Sequence, residues 1–152
     1  MKLGSFRALH ICLAVMVLPS SVMAATCDGV LNSLKQERHL TQVRQTDGKR
    51  LTEFQDGPSI TLSVSCALGA PTLAVTWDGP EPDQQYYDLV GRAGGLLSSH
   101  SPAGIVKASK QCRSEALSSG GEIASIEEEG LALECQAFAR DGGSTTISVF
   151  AE

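Results

Sequence analysis

The sequence predicts one small α+β domain: an antiparallel sheet built from hairpins, with helices packed on one face and two disulfides. Three observations carry this. Stretches of apolar–polar alternation come in two groups, four before residue 80 and three after residue 120, with helical periodicity between them. The alternation leaves each strand one polar side, as expected of antiparallel sheets covered on a single face. Four cysteines remain once the leader is set aside, each on the apolar phase of its own segment.

Residues 1–24 have the three parts of a cleaved export signal. Lys2 and Arg7 form the basic leader, an apolar run from Ala8 to Leu18 follows, and Val22-Met23-Ala24 offers small residues at the cleavage positions. The run of eleven residues is too short for the ~20 needed to span a membrane as a helix. The predicted cut falls after Ala24, leaving residues 25–152 as the mature domain in the periplasm or outside the cell. No later stretch is long and apolar enough to span a membrane. The leader removes two of the 12 basic residues and none of the 17 acidic ones, so the mature chain carries a net −7. Such a balance argues against nucleic-acid binding, which needs a basic face for phosphates.

The mature chain opens with a helix over about residues 27–37, where Cys27, Val30, Leu31 and Leu34 share one stripe. Asp47-Gly48 then sits between strands over 40–46 and 49–54, a two-residue hairpin signal because both residue types tolerate positive φ. Strands over 59–66 and 72–77 flank Leu68-Gly69-Ala70-Pro71, and Leu73, Val75 and Trp77 share a face. A second helix starts at Pro82-Asp83, with an apolar stripe of Tyr86, Leu89, Val90, Ala93 and Leu97. Gly91, Gly94 and Gly95 weaken it by up to ~1 kcal/mol each, and either allow close approach to the sheet or mark an early end. Ser101-Pro102 caps a third helix running to about Ser118. Strands over 122–126, 131–140 and 144–150 complete the chain, joined by turns at 128–130 and 141–143.

An even cysteine count in an exported small domain points to disulfides. Successive gaps of 39, 46 and 23 residues contain no Cys-x-x-Cys pair, so neither a zinc site nor a redox motif is indicated. Cys27 and Cys112 lie on helices, Cys66 and Cys135 on strands, all four directed to the core. Helix-to-sheet bridges fit this best, and Cys27–Cys66 with Cys112–Cys135 is favoured. The exchanged set, Cys27–Cys135 with Cys66–Cys112, satisfies the same rule.

Catalytic signals are thin. No cofactor or metal is indicated by any motif. His100 lies among serines at a helix cap, without a nucleophile elbow or oxyanion signature. Glu127-Glu128-Glu129 reads as a solvated hairpin turn. One feature stands out: residues 35–50 hold Lys35, Arg38, Arg44, Lys49 and Arg50 against Glu37 and Asp47, a local +3 in an acidic chain. Arg44, Lys49 and Arg50 are candidate contacts for another envelope protein or an anionic envelope polymer. The same charges also serve as edge protection against aggregation. Tyr87, out of phase with the helix stripe, is a candidate exposed aromatic anchor. An exported binding protein therefore ranks first, ahead of a hydrolase using carboxylates or His100 and a carrier of a small apolar ligand.

Each disulfide is expected to contribute about 2–4 kcal/mol. Cys112→Ala should therefore lower both the yield and the thermal midpoint; unchanged values would contradict a structural role.

Overall fold

The chain reverses at a short turn after each of its first three strands, so each strand pairs with the one before it. The computed structural model describes residues 25–120 and 122–151; the export signal lies outside the described residues. Helix α1 (Cys27–Lys35) leads into β1 (Thr41–Gln45), β2 (Leu51–Asp56), β3 (Ile60–Ser65) and β4 (Thr72–Asp78). Helices α2 (Gln84–Gly94) and α3 (Pro102–Ser118) follow, then β5 (Ile123–Glu128), β6 (Leu131–Phe138) and β7 (Ser144–Phe150). The sheet order is β1-β2-β3-β4-β7-β6-β5, with every neighbour antiparallel. The predicted α+β class and element order stand.

Period-two alternation decides the layers. Phe54, Ile60, Leu62, Val64, Leu73, Val75, Leu131, Leu133, Cys135, Ile147 and Val149 are buried on the helix side. The opposite face is hydroxyl-rich and half-buried, and Thr76 and Thr146 share a hydrogen bond of 3.0 Å across it. Tyr86 drives its ring into the core from α2, and its hydroxyl donates to the Val75 carbonyl at 2.9 Å. Burial pushes this phenol far above its ordinary pKa.

Several boundaries differ from the sequence reading. The first hairpin does not close through Asp47-Gly48 alone. Its strands stop at Gln45 and resume at Leu51, around a 3-10 turn at Asp47–Lys49. Positive φ falls on Gly48 (68°) and Lys49 (56°). Thr46 causes the wider loop: its N–H donates to the Leu51 carbonyl at 2.9 Å, and its hydroxyl accepts from the Leu51 N–H at 3.0 Å. Asp83 is the N-cap of α2, accepting from the Tyr86 N–H at 2.9 Å, so Pro82 stays outside the helix. Glu122 has φ of 62°, which keeps it out of β5 and shifts that strand toward Glu128.

Both disulfides follow the favoured pairing: Cys27–Cys66 with Cα atoms 6.0 Å apart, and Cys112–Cys135 at 5.9 Å. The expectation that all four sulfurs point into the core holds fully for the second pair; in the first, Cys66 is packed against the core but only half-buried. Cys112 and Cys135 are fully buried, whereas Cys27 and Cys66 are half-buried.

The α2 glycines are packing devices. A Cβ on Gly91 would lie 2.7 Å from the Pro102 carbonyl oxygen and 2.8 Å from Val106 Cγ2; one on Gly94 would press on Ile105 and Val149. Helix propensity alone would favour Gly91→Ala by ~1 kcal/mol, but overpacking against backbone costs about 1–3 kcal/mol. Gly91→Ala is therefore expected to lower the thermal midpoint by roughly several degrees. A midpoint equal to or above the parent's would contradict this packing.

Candidate functional site

An edge strand makes ladder hydrogen bonds on one side only, and its composition decides what pairs with the other. β1 is such an edge, and all five of its residues are exposed. Its ladder with β2 is interrupted by a bulge between Gln42 and Arg44, and Val43 is 54% exposed.

The predicted basic residues are arrayed along this edge and its turn. Arg44 lies 3.6 Å from Glu53 of β2, its side chain 62% exposed. Lys49 reaches back from the turn to Asp28 in the first turn of α1, at 2.9 Å. Arg50 is exposed, and among the described residues neither it nor Arg38 has an ion-pair partner. Exposed pairs of this kind contribute about 0–1 kcal/mol, so little holds Arg44 to Glu53 if an acidic partner approaches.

Sequence reasoning missed one contributor. Arg92 of α2 stands with its Nε 3.3 Å from Glu37. Together with Ser33, Gln36, Arg38 and His39, these two residues line an open cleft of about 500 Å³. An ion pair thus joins α2 to the segment between α1 and β1, where Arg38 of the basic stretch also lies. No local signal ties Arg92 to residues more than fifty positions earlier; only the fold does.

Tyr87 does not belong to this surface. The expectation that it is exposed is overturned: it is 7% accessible, packed edge-on against Tyr86 at 5.3 Å, with the Lys110 ammonium 5.1 Å from its ring centre. Helix α2 is buried on more than one stripe because α3 lies against it, so a residue out of phase with the sheet still finds cover. Burial raises the Tyr87 pKa and the nearby Arg113 guanidinium opposes it.

His100 is committed to structure. Its Nε2 contacts the Glu129 carbonyl at 2.8 Å, and Nδ1 lies 3.6 Å from the Glu128 carboxylate. A general base needs a lone pair aimed at its proton donor, and here both ring nitrogens face the β5–β6 turn. Among the described residues, no group of three His, Cys, Asp or Glu side chains is placed to hold a metal ion, and no helix is long and apolar enough to cross a membrane.

The far edge of the sheet is acidic. Glu127 and Glu128 lie in β5, and Glu129 follows in its turn. The sequence reading placed this triplet in a turn and had no means of seeing that it borders the edge opposite β1. Comparison of the chain with protein-family models, curated proteins and solved structures returns no match.

Lys49 holds the exposed Asp28 carboxyl below its ordinary pKa, first by hydrogen bonding and then by charge, and Lys35 adds to this. A lowered carboxylate pKa means that the pair's contribution is present above the ordinary value and fades as pH falls through the lowered one. Lys49→Ala should return the Asp28 titration, followed by NMR, toward that ordinary value. An unshifted midpoint would show that the turn is not tied to α1 in solution.

Proposed function

We propose that this chain is an exported binding domain that takes an acidic protein strand along its β1 edge. Arg44, Lys49 and Arg50 supply the charge recognition, and the unpaired backbone of β1 supplies the ladder. The observation that carries the reading is the coincidence of two features in one place: a fully exposed edge strand, and the local +3 of an otherwise acidic chain. Strand addition gives affinity through main-chain hydrogen bonds and specificity through side chains. A polysaccharide satisfies the charge but not the ladder, which favours a protein partner over an anionic envelope polymer. Two disulfides in a small domain fit an oxidising compartment, in keeping with residues 1–24 as a signal and a periplasmic or secreted location.

Fluorescence anisotropy with a labelled, strand-forming acidic peptide and with a linear anionic polysaccharide tests this. The peptide should bind at low salt, and Arg44→Glu with Arg50→Glu should weaken it roughly tenfold or more. Peptide binding indifferent to both changes would overturn the reading, and preference for the polysaccharide would overturn the protein partner.

A further inference from the structure

Among the described residues the sheet is open, and its two edges, β1 and β5, carry opposite charge. Six antiparallel pairings separate β1 from β5, so the two edge strands run in the same direction. A second molecule that continues the sheet with its helices on the same side therefore meets β1 with its own β5, running parallel. The basic residues stand at the C-terminal end of β1 and in the turn beyond it, and the acidic ones stand at the corresponding end of β5. Parallel alignment brings these ends together.

The side-chain faces agree as well. Arg44 is paired in register with Glu53, between the buried Thr52 and Phe54, and so lies on the open face. Glu127 is paired with Ala132, between the buried Leu131 and Leu133, and lies on the open face too. The register that sets Arg44 against Glu127 sets Gln45 against Glu128 on the helix face. Val43 and Ile123, 54% and 51% exposed, add apolar surface to the two edges. Contact of like edges would oppose like charges, which is destabilising; contact of unlike edges matches them.

We propose that the acidic strand received by β1 is β5 of a second copy of this chain, adding head to tail. This rests on the reading of β1 as a receiving edge. A heterologous contact of this kind propagates into a row of subunits, or into a ring where rotation closes it. Parallel pairing is slightly weaker per residue than antiparallel, and the bulge shortens the regular ladder of β1. The ion pairs therefore carry much of the affinity, and the assembly is sensitive to salt.

Sedimentation velocity on the exported, oxidised protein tests the proposal. The average mass should rise with concentration at low salt and fall to that of the monomer at high salt. Arg44→Glu with Arg50→Glu makes both edges acidic, and Glu127→Lys with Glu129→Lys makes both basic. Each double variant alone should stay monomeric, and an equimolar mixture should associate again. Association of either variant alone at the wild-type level, or a mixture that remains monomeric while both variants keep the wild-type thermal midpoint, would overturn the proposal. If a variant fails to fold, a free peptide of residues 123–129 replaces it: the peptide should cap β1 and lower the wild-type mass, and an unaffected mass would overturn the proposal. A monomeric wild type that still binds an acidic peptide through Arg44 and Arg50 would remove the second copy and leave the receiving edge intact. Loss of that peptide binding as well would remove both.

Discussion

The pairing of β4 with β7 is the constraint on which the rest depends. It joins residues 72–78 to residues 144–150 through seven register pairs and is, among the described residues, the one ladder in the sheet that links strands far apart in sequence. Everything else in the sheet is a hairpin between successive strands. The long intervening segment must be ordered for this seam to form, and non-local closure of that kind opposes folding entropically. Tyr86 sits over the seam, its hydroxyl 2.9 Å from the Val75 carbonyl of β4 and 3.5 Å from the Thr145 carbonyl of β7. The Cys112–Cys135 bridge binds α3 to β6 and shortens the search for the returning half.

That seam also decides what is left uncovered. Because β7 takes the free side of β4, the first and fifth strands become the borders of the sheet, and their side chains become its means of contact. A sheet with two long apolar borders would be an aggregation hazard. Here one border is basic and the other acidic, which suppresses pairing of like edges while leaving a specific contact available between unlike ones. The helices close one face of the sheet, and the other is rich in serine and threonine hydroxyls, with Leu51, Ile123, Phe138 and Phe150 set among them. The borders are therefore where backbone hydrogen-bonding capacity and concentrated charge coincide.

Much of the fold was legible in the residues themselves. Strict alternation in Ile60–Ser65 marks a strand, Ser101-Pro102 marks the start of α3, and the phases of the four cysteines narrow the pairing to two helix-to-strand sets, one of which the structure has. Local pattern could not say which distant strands meet, and so could not place Glu127 and Arg44 at opposite borders. It also failed where one side chain redirected a turn, as Thr46 does by taking the Leu51 N–H, or where a neighbouring helix covered an out-of-phase residue, as α3 does at Tyr87. The basic segment was visible as charge; Arg92, brought beside it by the packing of α2, was not. The signals that failed are all ones in which tertiary contact outweighs local preference.

Amide hydrogen exchange across β1 addresses the central claim, that this border receives another strand by backbone pairing and not by charge alone. Exchange would be followed at residues 41–45 with and without an acidic strand, at a salt concentration where binding occurs. Outward-facing amides of β1 that slow markedly on binding, while the already paired amides of β3 and β4 stay as they were, are the predicted result. Binding that leaves the β1 amides exchanging at their free rate would contradict it and reduce the border to an unspecific charged surface.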